Sequence, residues 1–336
     1  MATPTLVRKR YHERLVLDVI ETDDSRNHFH HDVELGLSSV PKSLPPKYFY
    51  DELGSRLFER ITELEEYYPT RTEAAILAGH GEEMMAAMAG VFTMVELGSG
   101  SSSKTRLLLD ILARRGERVE YIPIDISPSV VSEFGEQLVL DYPSLHIRGL
   151  ICDYHHALGA LKDTDSPPKL FLFLGSSMGN FTPNQAISLL REVRSAMGPG
   201  DGLLLGLDLK KDPAILHRAY CDAKGVTAAF NLNLLTRINE ELGGQFDLER
   251  FRHLAIVNEE EGRVEMHLES KSDQIVPVAA LERSFSFRQG ETIHTENSYK
   301  FDRQGLEDLL SQSGLSLRRQ WLDERAWFSV NLVTPA

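Results

Sequence analysis

From about residue 90 onward, short apolar runs alternate with longer stretches of helical period. The runs are Phe92–Leu97, Val119–Ile124, His146–Ile151, Lys169–Leu174 and Gly202–Leu207, and the segments between them include Lys104–Arg115, Ser129–Leu140 and Asn184–Met197. Apolar strands alternating with amphipathic helices predict a doubly wound parallel sheet, an α/β fold. The pattern closes with a helix over Arg303–Ser313 and two strands, Leu315–Trp321 and Trp327–Val333, that pair as an antiparallel hairpin.

The remaining chain does not fit that sheet. Residues 1–90 read as mostly helical, with a rigid element at Pro45-Pro46. Residues 226–300 open with a helix over Thr227–Leu242. Alternating strands follow at His253–Asn258, Val264–Ser270, Ala280–Phe287 and Thr292–Phe301. This insertion lies between the fifth strand and the closing hairpin. The two extra segments are expected to fold together as a cap over the cofactor edge of the sheet.

The chemistry starts at Val95-Glu96-Leu97-Gly98-Ser99-Gly100-Ser101-Ser102-Ser103-Lys104. A strand ends in an acid, and a glycine-rich turn opens a helix, bringing backbone N–H groups and a helix N-terminus up to a ligand. The next strand ends at Asp125, where a carboxylate takes a ribose diol. A dinucleotide site would need a third glycine where Ser103 stands. S-adenosylmethionine therefore fits better than NAD. A reversed strand pair at the C-terminus agrees, because Rossmann-like methyltransferase sheets end that way and NAD domains do not.

Other candidates each carry a plain alternative. Gly98 and Gly100 can form an ordinary strand-to-helix turn, and Lys104 can meet a cofactor carboxylate as a point charge or be a solvated lysine. Asp153-Tyr154 follows the third strand, where an acid can accept from an adenine amino group beside a packed ring, or Asp153 can cap a helix. Gly175-Ser176-Ser177-Met178-Gly179-Asn180-Phe181 follows the fourth strand, and Asn180 there can orient an amine or carboxylate or cap a turn. Tyr50, Tyr67 and Tyr220 can be packing aromatics. Glu296 and Ser298 share one face of a strand, pairing an acceptor with a hydroxyl that donates or accepts. An exposed strand face explains them equally well, and Met266 is by default a core methionine. The cluster His28-Phe29-His30-His31 reads as solvated, so no metal site is expected.

Composition narrows the classes. With 42% hydrophobic and 26% charged residues, the 336-residue chain has the make-up of a soluble globular protein. Fifty acidic against 36 basic residues give a net charge of −14, a field that repels phosphate backbones and disfavours nucleic acid. Two cysteines, Cys152 and Cys221, are too few for a disulfide framework or a structural zinc site. The run Leu15–Ile20 is short and broken by Asp18, so it is no signal peptide, and Leu170–Leu174 is far too short to span a membrane. A cytoplasmic protein, by default a monomer, is expected.

Several long motifs resemble one family. They are Pro41-Lys42-Ser43-Leu44-Pro45-Pro46-Lys47-Tyr48-Phe49-Tyr50-Asp51, Glu66-Tyr67-Tyr68-Pro69-Thr70-Arg71-Thr72-Glu73-Ala74, Val95–Arg106, Leu174–Pro183, Gly225-Val226-Thr227-Ala228-Ala229-Phe230-Asn231, Val264-Glu265-Met266 and Thr295–Phe301. Together they resemble the histidine-specific Nα-methyltransferases of ergothioneine biosynthesis, over nearly the whole chain after about residue 30. The resemblance implies three methyl transfers from S-adenosylmethionine to the α-amine of L-histidine, giving the betaine hercynine. It implies that Tyr67, Asn180 and Tyr220 hold the amino-acid carboxylate and amine, with Gly175 and Tyr50 lining that end. Tyr50 and Asn180 stand as the catalytic candidates. Glu296 and Ser298 would read the imidazole beside Met266, and Gly98, Gly100, Lys104, Asp125, Asp153 and Tyr154 would hold the cofactor. Tyr154 stands where the family carries phenylalanine. Residues 1–72 with 210–300 would form a smaller α+β substrate domain, and 73–209 with 301–336 the Rossmann-like methyltransferase domain. The alternatives are methylation of another amino acid, such as a tryptophan derivative, and a non-catalytic cofactor-binding regulator.

Overall fold

The computed structural model describes residues 5–21, 28–88, 93–100, 102–161 and 168–336. Phe92, at the expected start of the first strand, and Ser101, in the glycine-rich turn, lie outside the described residues. In chain order the first elements are β1 (Thr5–His12), β2 (Leu15–Glu21), α1 (His28–Ser38), β3 (Lys42–Ser43), α2 (Glu52–Thr62) and α3 (Pro69–Ala87). Strand and helix then alternate through β4 (Thr93–Leu97), α4 (Ser103–Arg114), β5 (Val119–Asp125), α5 (Pro128–Asp141), β6 (Leu145–Ile151), α6 (Tyr154–Ala160), β7 (Lys169–Phe173), α7 (Pro183–Ala196) and β8 (Gly202–Asp208). Next come α8 (Pro213–Tyr220), α9 (Val226–Leu242), β9 (Phe251–Asn258), β10 (Arg263–Ser270), β11 (Gln274–Val278), β12 (Arg283–Phe287) and β13 (Thr292–Tyr299). The chain ends with α10 (Arg303–Gln312), β14 (Leu315–Leu322) and β15 (Phe328–Pro335).

These elements group into two compact units, one of residues 1–22, 69–210 and 301–336, the other of residues 23–68 and 211–300. In the first unit one sheet runs in the order β1-β2-β6-β5-β4-β7-β8-β15-β14. The strands from β2 to β8 in that order pair in parallel, and β1, β15 and β14 are antiparallel additions. Strands β4, β7 and β8 are buried at every position, which requires cover on both faces. Met94, with Leu77, Met84 and Leu108, belongs to one apolar layer; Val95 and Leu97, with Leu190 and Leu310, belong to the other. Two of the helices start where a side chain satisfies a free N–H group: Ser127 caps α5 ahead of Pro128, and Asp302 caps α10.

The expectation of a mostly helical N-terminus fails over residues 5–21, which form the β1–β2 hairpin and pair with β6. That hairpin also belongs with the large sheet, not with the segment assigned to the substrate domain. The reason is electrostatic. Asp18, which interrupts the apolar run, is fully buried and takes Arg8 at 2.6 Å and Arg148 at 2.8 Å. The Arg8 guanidinium holds its carboxyl below the usual range, outweighing the effect of burial.

In the second unit β3, β13, β10 and β9 form a four-stranded sheet, and β11 pairs with β12. The single strand expected over Ala280–Phe287 is instead a 3₁₀ turn at Ala279–Leu281 followed by β12. Helix α9 ends at Gly243, whose φ of +63° suits a residue without Cβ. Phe230 on α9 stacks on Phe49 with centroids 4.6 Å apart.

Candidate active site

The strand order reverses direction between β4 and β7, and open α/β sheets bind ligands beyond the strand ends at such a point. After β4 the chain turns at Gly98 (φ +70°) and Gly100 (φ +46°), then enters α4. A Cβ at Gly98 would lie 2.7 Å from the Tyr154 hydroxyl, so the tyrosine at the start of α6 closes directly over the turn. The Gly100 N–H donates to Asp125 Oδ2 at 3.3 Å, and the Ser127 N–H donates to Oδ1 at 3.0 Å. Burial raises the Asp125 carboxyl, and those N–H groups partly offset it. The Ile126 N–H also bears on this carboxylate, which keeps acceptor capacity for a further donor. The Ser99 hydroxyl in the same turn is buried without a hydrogen-bond partner among the described residues. A glycine cradle, an orphaned hydroxyl and a carboxylate on the adjacent strand end fit a ribonucleoside ligand.

Glu96, on the strand before the turn, is buried. It accepts from Thr105 Oγ1 at 2.7 Å and from the Tyr121 hydroxyl, and Tyr121 also contacts Ser102 at 2.9 Å. Burial pushes its carboxyl up to about 7, against those hydrogen bonds. Asp153 caps α6, accepting from the His156 N–H at 2.9 Å, with the His156 ring against the same carboxylate. Although burial acts in the opposite direction, these bonds hold Asp153 below the usual carboxylate range. Tyr154 packs edge-on to Phe173 at 5.7 Å, and burial pushes its phenol well up.

Lys104 is not the solvated lysine of the plain alternative. Its ammonium lies 2.6 Å from Glu73 Oε2, a fully buried carboxylate on α3. The same carboxylate accepts the Gly175 N–H at 2.8 and 3.0 Å. Glu73 thus joins the first turn of α4 to the loop after β7. Gly175 (φ +77°) and Ser176 (φ +58°) are both left-handed, and the Ser176 hydroxyl accepts the Asp208 N–H at 2.9 Å. Asn180 ends the short 3₁₀ helix Ser177–Asn180, half-exposed.

In the second unit the aromatic candidates form one chain of contacts. Tyr50 meets Phe58 at 5.6 Å and Phe230 at 5.8 Å, Phe58 meets Tyr67 at 6.4 Å, and Tyr67 meets Tyr220 at 6.3 Å. Tyr220, the last residue of α8, donates its hydroxyl to Ser298 Oγ at 2.6 Å. On β13 the register runs Met266 to Glu296 and Val264 to Ser298, but His267 pairs with His294. Thr295 is the extra residue of a β-bulge, and it sets which face Glu296 and Ser298 share. Its hydroxyl donates to Asn231 Oδ1 at 2.8 Å, and the Asn231 amide donates to the His267 carbonyl at 3.0 Å. Glu296, Ser298 and Met266 are all buried, which removes the exposed-face alternative. Of the histidine cluster, Phe29 is core and His30 Nε2 meets the Ala280 carbonyl at 3.0 Å.

Three participants went unnoticed in the sequence. Glu73 lies inside the Thr72-Glu73-Ala74 motif, and Asn231 ends the Gly225–Asn231 motif. Lys300, at the same parity as Glu296 and Ser298, is buried and donates to Ser298 Oγ at 2.8 Å and to the Tyr220 hydroxyl at 3.0 Å.

Known proteins are similar in sequence to this chain over most of its length. The family described as histidine-specific methyltransferase, SAM-dependent, matches residues 29–335. Histidine N-alpha-methyltransferase of Mycolicibacterium smegmatis is 43% identical over 314 residues, 94% of this chain and 97% of that protein. The protein of the same name from Mycobacterium tuberculosis is 45% identical over 305 residues, 90% of this chain and 93% of its own length. Ergothioneine biosynthesis protein 1 of Neurospora crassa is 35% identical over 286 residues, 84% of this chain and 32% of that protein.

Proposed function

The chain belongs to the family of S-adenosylmethionine-dependent, histidine-specific methyltransferases, and from that premise we propose that it adds three methyl groups in turn to the α-amine of L-histidine. The product is the betaine hercynine, and the step opens ergothioneine biosynthesis. The mono- and dimethylated amino acids are then substrates as well, met as free small molecules in the cytoplasm by a monomeric enzyme. The observation that carries the acceptor side is the buried face where Glu296 and Ser298 lie beside Met266. Glu296 accepts from one imidazole N–H, Ser298 serves the second ring nitrogen, and Met266 packs on the ring. A site of buried polar groups rejects analogues that leave them unpaired, by about 10⁴–10⁵ in favourable cases.

When bound, S-adenosylmethionine supplies an electrophilic methyl group on a sulfonium. Gly98 and Gly100 leave room for it, Asp125 takes the ribose diol, and Asp153 and Tyr154 lie at the adenine end. Lys104, held by Glu73, meets the carboxylate of the donor. Asn180 and Tyr67, with Gly175 and Tyr50, hold the α-amine and carboxylate of the acceptor, and Tyr220, whose proton goes to Ser298, offers the amine its remaining lone pair. In-line displacement needs that amine neutral. Hydroxyls and an amide orient it without raising its pKa as a close carboxylate would. Alignment alone supplies up to about 7–11 kcal/mol, so no strong base is required.

The test is to incubate the purified protein with labelled S-adenosylmethionine and histidine, tryptophan or tyrosine, and to weigh the products. Mono-, di- and trimethylhistidine are expected. Label passing to tryptophan in preference would favour the other amino-acid reading, and label passing to none would reject enzymatic transfer.

A further inference from the structure

Lys300 has no part in the function so far, yet it is among the least exposed charged groups of its unit, with 4% of its surface open. It follows β13 directly and lies two residues beyond Ser298, so it continues the row of Glu296 and Ser298. Its ammonium donates to Ser298 Oγ at 2.8 Å and to the Tyr220 hydroxyl at 3.0 Å, and it lies 4.8 Å from the Tyr220 ring centroid. Tyr220, accepting from Lys300, passes its own proton to Ser298 Oγ at 2.6 Å.

A hydroxyl has one proton to give and two lone pairs to receive. Both lone pairs of Ser298 are filled, one by Lys300 and one by Tyr220. Only its proton remains to offer. We infer that Lys300 is a positioning residue that fixes Ser298 as a donor, so that the site admits the imidazole as a neutral ring of one tautomer, its N–H toward Glu296 and its bare nitrogen toward Ser298. The inference rests on the imidazole reading of this face given above. An imidazolium would present a second N–H to a hydroxyl that has no lone pair left, with an ammonium 2.8 Å behind it. Lys300 therefore discriminates between protonation states of the substrate, a selection that Glu296 alone would reverse by attracting the cation.

Among the described residues, the charged and titratable groups around this hydroxyl include Glu296 on its own strand, Lys300 just beyond it, Tyr220 on α8 and Tyr67 beside Tyr220. His253 on β9, whose ring meets the Tyr220 carbonyl at 2.8 Å, is held toward its neutral form by burial. Asp222 is engaged with the Val226 and Thr227 N–H groups at the start of α9.

The experiment is nitrogen NMR of ¹⁵N-labelled histidine bound to the full-length protein with S-adenosylhomocysteine, at pH 7 and pH 6. Free imidazole, with a pKa of about 6.5, is mostly protonated at the lower pH. The bound ring is expected to show one protonated and one bare nitrogen at both. Lys300→Met should let the bound ring take its second proton at least one pH unit higher than in the wild type, and Lys300→Arg should restore the wild-type behaviour. Two protonated nitrogens in wild-type protein at pH 6 would overturn the inference even if Lys300→Met fails to fold. So would a folded Lys300→Met protein whose bound ring titrates as in the wild type. In either case methylation of histidine would stand. Absence of any bound histidine signal would instead overturn the imidazole reading, and this inference with it.

Discussion

Under the proposed function, the turn at Gly98–Lys104 and the strand face at Glu296–Lys300 would recognise their ligands by opposite means. In the turn the working groups are mainly backbone, two glycines at positive φ and their N–H groups, with one side chain, the Asp125 carboxylate on the next strand end, held by the Gly100 N–H. On the strand face they are side chains, buried and committed to one another through Ser298. Backbone recognition accepts any ligand of the right shape and charge, which suits a donor shared by many reactions. Buried side chains impose a donor and acceptor pattern, and a ligand that mismatches it leaves a group unpaired at a cost of about 1–3 kcal/mol each. On the proposed function, affinity for the donor and choice of acceptor would be carried by separate parts of the chain.

The first way to strain that contrast is to alter the side chain on which the backbone turn leans. Glu73→Gln removes the partner of Lys104 while keeping an acceptor for the Gly175 N–H. Leaving a largely buried ammonium unpaired should destabilise the large-sheet unit by about 3–5 kcal/mol, read as a lower urea midpoint. An unchanged midpoint would show that Lys104 finds water or another acceptor at no loss.

A smaller effect is expected at Glu96. Burial holds its folded carboxyl at about 7, above the ordinary glutamate value of about 4.5, so its contribution to stability is full below about pH 4.5 and is lost as pH rises through about 7. In Glu96→Gln that dependence should vanish. The stability of the wild type relative to the variant should fall between pH 5 and 8, by no more than about 3 kcal/mol. Denaturation curves at several pH values check this, and parallel pH profiles for the two proteins would contradict it.

The parallel strands were legible because each is a continuous apolar run, and a run buried on both faces has little other place to go. The β1–β2 hairpin was not. Asp18 breaks its apolar pattern, and the arginine that helps neutralise it, Arg148, lies 130 residues away. The glycine turn and Asp125 were readable from spacing, since φ and strand ends are local properties. Lys104 was seen, but its partner was not, because nothing in a helical stretch distinguishes a buried glutamate from the surface acids beside it. Parity put Glu296 and Ser298 on one face but allowed an exposed strand equally well, and only the family resemblance gave them a role. The bulge at Thr295, which sets the face they share with Met266, depends on pairing with β10 and leaves no mark in the sequence of β13 itself.

Calorimetry on Glu296→Ala tests the division between backbone and side-chain recognition most directly. S-adenosylhomocysteine is titrated first, and histidine is then titrated into the saturated protein. The account predicts donor-product affinity within about threefold of wild type. Histidine affinity should fall roughly 100-fold, the upper range for losing a hydrogen bond to a charged group. Histidine binding as tight as in the wild type, or equal losses for both ligands, would contradict it.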